Sequence, residues 1–394
     1  MDSRLAGGIL LIVGTSIGGG MLALPMVSVG GGVFSASLLL IGCWAVMTLA
    51  ALFILEVNLW LPPRNNLISM AKATLGTPGA IATWVSYILL LYSLLCAYIS
   101  GGSELFDVFS KKLNVNIPSW CDSLLFVVIF GYIVFRGIQF VDYANRGLMV
   151  AKFGSLFAVI FFSIPYLEGS HIVAGDPRIV LGATTVMLTS FGFANIIPSL
   201  RSYFNDDFKS LRKAVFIGSL IPLVCYILWI FAIVGSLPRD ELLGITERGG
   251  SIAELTEALS THLNNTSITF LASFFTTICV LTAFLCVSLA LSDFLSDGLQ
   301  IEKKGKGNGL IFGLTFLPST LIVIFFPSIF VKALNYAGIF CVILIILLPA
   351  LMVYSGRYVK KIAKGYEVKG GKFAVLMIII VSFIIIAIGI REIL

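Results

Sequence analysis

Charged residues are scarce in this 394-residue chain, because Asp, Glu, Lys and Arg together make up only 12% of it. A soluble domain carries about 25% charged residues, so a large water-soluble enzyme is excluded. Histidine is also rare, and the two histidines lie far apart, at His171 and His262. The seven cysteines are scattered without a C-x-x-C pair, which favours small buried side chains over a disulfide framework or a metal site. We therefore expect neither a metal ion nor a cofactor.

Apolar residues take the place of the missing charges, at 58% of the chain. One helical crossing of a bilayer needs about 20 apolar residues, so roughly eleven crossings account for nearly the whole sequence. The runs are long and continuous, whereas strands of a membrane barrel would alternate over about ten residues. The sequence thus predicts an all-α integral membrane protein with eleven transmembrane helices. The predicted spans are 5–30, 33–60, 80–106, 120–137, 147–167, 178–200, 212–236, 267–296, 309–326, 330–354 and 372–391.

The lysines and arginines fall unevenly on the two sides of these spans. If the N-terminus lies in the cytoplasm, 19 of the 26 basic residues fall on the cytoplasmic side and seven fall outside. The apolar stretch after Arg4 continues past Pro25 without a cleavage pattern, so we interpret it as the first span and not as a signal peptide. We predict a multi-pass protein in the lipid bilayer whose C-terminus lies outside. Nothing in the sequence indicates a nucleic acid or an obligate protein partner.

Two of the predicted spans contain sequence that a plain helix avoids. The first has three consecutive glycines and a proline within residues 14–25, and the sixth has Gly192, Asn195 and Pro198. Glycine costs about 1 kcal/mol inside a helix, so we expect the backbone to unwind at both places. Paired broken helices in two inverted halves indicate a transporter site, where freed N–H groups suit a carboxylate and freed carbonyls suit an ammonium. In the alternative interpretation the glycines only allow close helix packing.

A lysine lies inside the fifth predicted span. Lys152 follows Arg146 by six residues, which places it about 9 Å deeper along a helix. Since an ammonium at the bilayer centre costs about 2.5–3.5 kcal/mol, Lys152 either reaches back to the inner surface or faces a polar interior. In a polar interior its amine can gain and lose a proton as its surroundings change. Weaker candidates for buried polar roles are Glu56, Glu104, Asp293, Asp297, Tyr98, Ser103, Ser288 and Ser292.

The longest predicted outside connection covers about residues 237–266. Within it, Ser251 and Glu254 have the spacing of a capping box, which predicts a short helix through Leu263. This helix either rests on the surface or forms a lid over an outer vestibule.

With these segments in view, the sequence resembles the hydroxy and aromatic amino acid permease family, whose bacterial members include tyrosine and tryptophan permeases. Residues 14–25 resemble the family's opening stretch G-T-x-I-G-A-G-M-L-A-x-P, with Gly19 where an alanine is common. The resemblance runs over most of the chain in order and spacing. Further matching segments are Leu55-Glu56-Val57, Ala97-Tyr98-Ile99-Ser100-Gly101, Asn145-Arg146 with Lys152, Ser190-Phe191-Gly192-Phe193 and Asp293-Phe294-Leu295.

The resemblance implies a LeuT-like fold in one transmembrane domain over residues 1–394. This fold has two inverted five-helix repeats, at about 5–167 and 178–354, and an extra helix at about 372–391, and its helices 1 and 6 are discontinuous. The resemblance also implies amino acid uptake at a bacterial inner membrane, driven by the proton gradient without a cofactor.

The resemblance further assigns roles to individual residues. In related proton-coupled transporters a lysine occupies the place that a sodium ion takes elsewhere, and Lys152 matches that position. Its expected partners are the carbonyls of Gly14 and Ile17 and a hydroxyl of helix 8, which we assign to Ser288. Tyrosine and tryptophan permeases often carry a histidine after Phe-Gly-Phe, so here a polar contact to the substrate is missing or reassigned to Asn195. The expected substrate-binding residues are Ile17, Gly18, Gly19, Gly20, Met21, Tyr98, Ser190, Phe191, Gly192, Phe193 and Asn195, and Ala194 stands at the histidine position.

The leading functional hypothesis is a proton-coupled symporter that imports an aromatic amino acid, tyrosine first, by alternating access around the broken helices. Protonated Lys152 would hold helices 1, 5 and 8 together, and loss of its proton to the cytoplasm would favour inward release. Two alternatives stay open, namely a sodium-coupled or exchanging transporter of the same fold and an amino acid sensor that does not transport. An enzyme is not expected, because no acid–base pair or metal-binding set recurs at catalytic spacing.

Overall fold

The computed structural model describes residues 3–63, 65–112, 118–173, 175–263 and 265–393. Helices and short connections make up this described part, which contains no strand, so the prediction of an all-helical protein is confirmed. The α-helices are α1 (Ser3–Ser16), α2 (Leu24–Ser28), α3 (Gly32–Trp60), α4 (Leu67–Leu75), α5 (Thr77–Lys112), α6 (Ser119–Phe135), α7 (Ile138–Ser163), α8 (Gly169–Val173), α9 (Thr184–Ser190), α10 (Ile197–Tyr203), α11 (Phe208–Ser236), α12 (Arg239–Glu247), α13 (Ile252–Leu263), α14 (Thr266–Leu299), α15 (Lys306–Phe325), α16 (Phe330–Cys341), α17 (Leu348–Tyr354) and α18 (Gly371–Ile393).

Within the residues described, nine helical stretches are long and apolar enough to cross a bilayer. Two further apolar helices, α1 and α6, are shorter, and the 17 residues of α6 reach only about 25 Å at 1.5 Å per residue. The arrangement of eleven spans therefore stays a prediction. The nine stretches are Gly19–Trp60, Thr77–Val108, Gly147–Tyr166, Ile179–Tyr203, Phe208–Ser236, Ser267–Leu299, Lys306–Phe325, Phe330–Val359 and Gly371–Ile393.

The first predicted span is discontinuous, as the glycine run predicts. Helix α1 ends at Ser16, and Gly18 has an extended backbone with φ −151° and ψ −154°. A 3₁₀ turn covers Gly19–Ala23, and α2 then begins with Pro25 in its first turn, where a missing N–H costs nothing. The chain thus leaves the helix at the glycines and re-enters it at the proline.

The sixth predicted span is broken in the same way. Helix α9 ends at Ser190, and Phe191 leaves the helical region with φ −94° and ψ 32°. A 3₁₀ segment covers Gly192–Ile196, and α10 begins immediately afterwards with Pro198 in its first turn. Both predicted discontinuities are therefore present.

Helix packing brings the two breaks side by side. Helix α1 packs along α11, while α14 packs against both α5 and α7. The 3₁₀ turn at Gly19–Ala23 contacts α9 and α14. A Cβ atom on Gly20 would lie 3.2 Å from the Ser190 hydroxyl oxygen, so the backbones approach closely where both helices open.

The long connection after α11 contains two helices, of which α12 packs against α2 and α13 packs against α5 and α14. Helix α13 begins at Ile252 and ends at Leu263, as predicted, and the Ser251 hydroxyl accepts a hydrogen bond from the Glu254 N–H at 3.2 Å. The Glu254 carboxylate pairs with Arg248 at 2.6 Å instead of closing a capping box. Helix α12 was not predicted, because its mixed polar and apolar residues lack the continuous run that the predicted spans share.

Candidate functional site

The break after α1 leaves three consecutive backbone N–H groups without a helical hydrogen-bond partner. Ile17 N–H still donates to Val13 and Met21 N–H donates to the Gly18 carbonyl at 3.3 Å. The N–H groups of Gly18, Gly19 and Gly20 donate in none of the hydrogen bonds that the described residues form. Since Gly19 and Gly20 are buried, these groups form a site that suits a carboxylate.

The carbonyl groups at the same break have side-chain partners. The Lys152 ammonium donates to the Ile17 carbonyl at 2.6 Å. The Tyr226 hydroxyl lies 2.7 Å from the Ser16 carbonyl oxygen and 2.7 Å from the Ser190 carbonyl oxygen. Tyr226 was missed in the sequence, because one tyrosine in an apolar run gives no signal beyond that of a packed aromatic residue.

Lys152 lies on α7 and is only 1% exposed, so it faces the interior and does not reach back to the surface. Its amine lies 3.5 Å from the Thr282 hydroxyl of α14. Ser288, the predicted hydroxyl, instead donates to Phe284 at 2.6 Å, because it lies six residues and about 9 Å further along α14. The Lys152 amine donates to the Ile17 carbonyl, and no hydrogen bond joins it to the Gly14 carbonyl among the described residues.

The amount of free space next to the backbone differs between positions at the two breaks. A Cβ atom on Gly192 would meet no atom within 4 Å, and one on Gly18 would meet only Ala283, at 3.8 Å. A Cβ atom on Gly19 would lie 2.5 Å from the Tyr98 ring, so Tyr98 covers the first break closely. Phe193 is fully buried beside the second break. The open volume next to the breaks therefore lies at Gly192 and Gly18.

A cavity of about 690 Å³ reaches the second break through Asn195. The Oδ1 atom of Asn195 is buried and has no hydrogen-bond partner in the described part of the chain. Aromatic rings line the cavity, with the Phe294 ring centroid 4.9 Å from Tyr87 and 5.7 Å from Trp84. The lining residues are Asn65, Asn66, Leu67, Ile68, Trp84, Tyr87, Asn195, Pro198, Ser199, Ser202, Phe294, Asp297 and Gly298. These rings were not predicted, because aromatic residues are common throughout the apolar spans.

The two ends of the molecule differ at this site. The cavity is lined by the connection after α3 and by the last turn of α14. The distribution of basic residues predicts that these segments lie on the cytoplasmic side. At the other end, Glu104 of α5 accepts hydrogen bonds from the Ser251 hydroxyl at 2.8 Å and the Ile252 N–H at 2.9 Å. The Thr246 hydroxyl also donates to the Met26 carbonyl at 2.9 Å. Hydrogen bonds thus attach α12 to α2 and the start of α13 to α5 at the end opposite the cavity.

The structure brings most of the predicted site residues together. Residues 17–21, 190–193, Tyr98 and Lys152 surround the two breaks, and Asn195 lies at the adjoining cavity. Ser288 and Gly14 do not contact Lys152. The side chain of Arg146, part of the resemblance, lies outside the described residues. Substrate binding and proton coupling by these residues stay predictions.

A family model for the tryptophan/tyrosine permease family matches residues 1–389 of this chain. The chain belongs to that family. This permease covers the length of its relatives almost completely. It is 31% identical over 391 residues to the tyrosine-specific transport system 1 of Haemophilus influenzae, covering 97% of this chain and 96% of the relative.

Other relatives of the permease carry different substrate names. The tryptophan-specific transport protein of Haemophilus influenzae is 32% identical over 394 residues, with 95% of this chain and 93% of the relative covered. The glutamine transporter 2 of Aliivibrio fischeri is 30% identical over 383 residues, with 95% and 96% covered. The resemblance found in the sequence is thus confirmed at the level of the family, and the permease is a multi-pass membrane protein of the amino acid transporter class.

Proposed function

We propose that this permease is a proton-coupled symporter that carries an aromatic amino acid, tyrosine first, into the bacterial cytoplasm. In this proposal residues 1–394 form one LeuT-like transmembrane domain of eleven helices, with the N-terminus in the cytoplasm. The proton gradient drives transport, without a cofactor. The observation that supports coupling most strongly is the buried Lys152 ammonium, which donates to the Ile17 carbonyl in the opened first helix.

The substrate fits the breaks through its two charges and its ring. Its carboxylate binds the N–H groups of Gly18, Gly19 and Gly20, which lie at the start of a helical turn. Its ammonium faces the carbonyl ends of α1 and α9, where the helix dipoles are negative. The aromatic side chain extends towards the open space at Gly192 and the ring-lined cavity, with Asn195 as a polar partner.

Proton coupling follows from the position of Lys152 between three helices. A protonated amine makes a charge-assisted hydrogen bond to Ile17 and so holds α1 against α7 and α14. A neutral amine makes a weaker bond, which frees α1 to move and favours release of substrate through the cavity. Proton binding from outside and proton loss to the cytoplasm then bias the two conformations.

An uptake assay in proteoliposomes tests the substrate and the driving ion together. We expect labelled tyrosine to accumulate under an imposed pH gradient and not under a sodium gradient of equal size. Tryptophan, phenylalanine and glutamine form the comparison panel. Uptake that follows sodium or internal amino acid and ignores pH would identify a sodium-coupled transporter or an exchanger, and binding without uptake would identify a sensor.

Replacement of the lysine tests the coupling step itself. We expect Lys152→Ala to abolish accumulation against a gradient while tyrosine binding remains detectable in the purified protein. Lys111→Ala is the matched control, since Lys111 is 64% exposed and pairs with Asp107 of its own helix. Proton-driven accumulation that survives in Lys152→Ala would remove Lys152 from the mechanism.

A further inference from the structure

Tyr226 connects the ends of both broken helices through one atom. Its side chain is fully buried in the middle of α11. Its hydroxyl oxygen lies 2.7 Å from the carbonyl oxygens of Ser16 and Ser190. These are the last residues of α1 and α9. The two carbonyl oxygens therefore lie no more than twice 2.7 Å apart, although 174 residues separate them in the chain.

This cluster of three oxygen atoms has fewer hydrogen-bond donors than acceptors. A tyrosine hydroxyl carries one hydrogen, so it can donate fully to one carbonyl at a time. The other carbonyl then faces the lone pairs of the hydroxyl oxygen at the same short distance. Both carbonyls also lie at helix ends, which carry partial negative charge. A buried cluster of this kind is stabilised by an additional cationic donor.

The neighbouring groups define which donor fits. Lys152 already occupies the Ile17 carbonyl, whereas Tyr226 is the side-chain partner of the adjacent Ser16 carbonyl. The N–H groups of Gly18, Gly19 and Gly20, which suit a carboxylate, follow directly in the chain. A ligand with an ammonium next to a carboxylate, as in an α-amino acid, matches this order of groups.

We propose that Tyr226 is a positioning residue for the α-ammonium of the substrate. Its hydroxyl donates to one half-helix carbonyl and leaves the other carbonyl, together with its own lone pair, to accept N–H bonds from the ammonium. This inference rests on the proposed transport of amino acids and adds the residue that selects for the amino group. The Phe191 ring, with its centroid 5.1 Å from that of Tyr226, keeps the tyrosine ring in place.

Tyr226→Phe removes the hydroxyl and retains the ring contact with Phe191. The matched control is Tyr92→Phe, because the Tyr92 hydroxyl also donates to a helix carbonyl, that of Leu314, at 2.7 Å. The probes are tyrosine and 3-(4-hydroxyphenyl)propionate, which has the same ring and carboxylate but no amino group. Binding of both is measured on each purified protein, with uptake of tyrosine as KM and maximal rate.

We expect Tyr226→Phe to bind tyrosine about tenfold or more weakly while its affinity for the propionate changes less than twofold. Tyr92→Phe should leave both affinities unchanged. The loss in Tyr226→Phe should appear mainly in KM. Equal weakening of both ligands would give the hydroxyl a purely structural role and overturn the proposal.

A second comparison, made on the wild type, tests the proposal even if Tyr226→Phe does not fold. The wild type must then bind tyrosine at least about tenfold more tightly than the propionate, and equal binding would overturn the proposal. A wild type that binds no aromatic amino acid at all would contradict the proposed function instead. The two failures are therefore distinguishable.

Discussion

At the scale of the residue, one buried carboxylate of this permease has both an ionic partner and hydrogen bonds to each of its oxygens. Glu56 of α3 is 0% exposed, and its two carboxylate oxygens accept from the Nε and Nη2 atoms of Arg357, both at 2.6 Å. The Val368 N–H donates to the same carboxylate at 2.7 Å, and Arg357 donates to the Val368 carbonyl at 3.1 Å. This network joins α3 to the π-helical turn Ser355–Val359 and to the connection before α18.

Glu56→Gln should therefore destabilise the protein strongly. The substitution removes the buried counter-charge of Arg357 and leaves only the exposed Glu367 carboxylate, at 4.0 Å, near it. Removing one partner of a buried ion pair typically costs about 3–5 kcal/mol. Thermal unfolding of the purified protein in detergent measures the change. Glu302→Gln is the control, since Glu302 pairs with Lys304 at 3.3 Å with both side chains at least 80% exposed, and its melting midpoint should not shift. Equal midpoints for Glu56→Gln and the wild type would contradict the prediction.

The sequence analysis identified polar residues whose burial in a membrane costs much free energy. It missed polar residues whose burial costs little. Lys152 stands out because an ammonium inside an apolar run costs free energy unless polar groups surround it. Glu56 was a weaker candidate for a buried polar role, and the structure shows it buried and paired with Arg357. Tyr226 and Thr282 cost little in a membrane helix, so only the folded backbone reveals that their hydroxyls meet a broken helix and a lysine.

At the scale of the element, side chains cap the helices that follow the connections. The Asp207 carboxylate accepts from the N–H groups of Lys209 at 3.1 Å and Ser210 at 3.3 Å at the start of α11. Hydrogen bonds from the Ser210 side chain and backbone hold the pKa of the Asp207 carboxyl below its ordinary value. Asn265 caps α14 in the same way, through Ser267 at 3.0 Å and Ile268 at 3.3 Å.

These two caps should respond differently to acid. Because the pKa of Asp207 is lower in the folded state, its stabilisation is complete above the ordinary aspartate pKa of about 3.9 and is lost as the pH falls through the lower folded value. The difference in melting midpoint between wild type and Asp207→Ala should thus shrink as the pH falls below about 4. The difference for Asn265→Ala should stay constant from pH 7 to 3. A constant difference for Asp207→Ala would contradict the prediction.

The helix breaks could be predicted, but several element bounds could not. Three consecutive glycines disfavour a helix, and each of the two prolines favours the first turn of a new one. Helix α5 extends from Thr77 to Lys112, beyond the predicted 80–106, because helices continue into the polar interface after the apolar run has ended. The short helices α4 and α12 are amphipathic, so a search for apolar spans passes over them.

At the scale of the whole molecule, the cavity lies at one end of the helices, and α12 and α13 pack at the other end. The cavity at Ser202 and Asp297 opens at the predicted cytoplasmic end, while Glu104 holds α13 over the opposite end. With the orientation that the basic residues predict, the proposed alternating-access cycle assigns this arrangement to the inward-facing conformation, from which substrate would leave towards the cytoplasm. The basic residues predicted the orientation, but only folded coordinates reveal which end is open, since both conformations share one sequence.

Thiol labelling tests this orientation. In a transport-competent variant without native cysteines, Ser202→Cys should react with a membrane-impermeant thiol reagent in inside-out vesicles and not in right-side-out cells. Thr261→Cys, on the exposed face of α13, is the matched control and should react only from outside. Ser251→Cys, at a position that is only 6% exposed, should react from neither side. Labelling of Ser202→Cys from outside would reverse the predicted topology.

Lys152 differs from a transported ion in that it is bonded to the chain and cannot leave with the substrate. If it carries the coupling proton, one amine binds one proton, and each cycle draws on the energy of a single charge. A membrane potential of about 100 mV supplies about 2.3 kcal/mol per charge, and each 1.4 kcal/mol corresponds to a tenfold concentration ratio. In the absence of a pH difference across the membrane, a potential of that size then sets a ceiling of about 40-fold on accumulation, whatever the abundance of substrate outside.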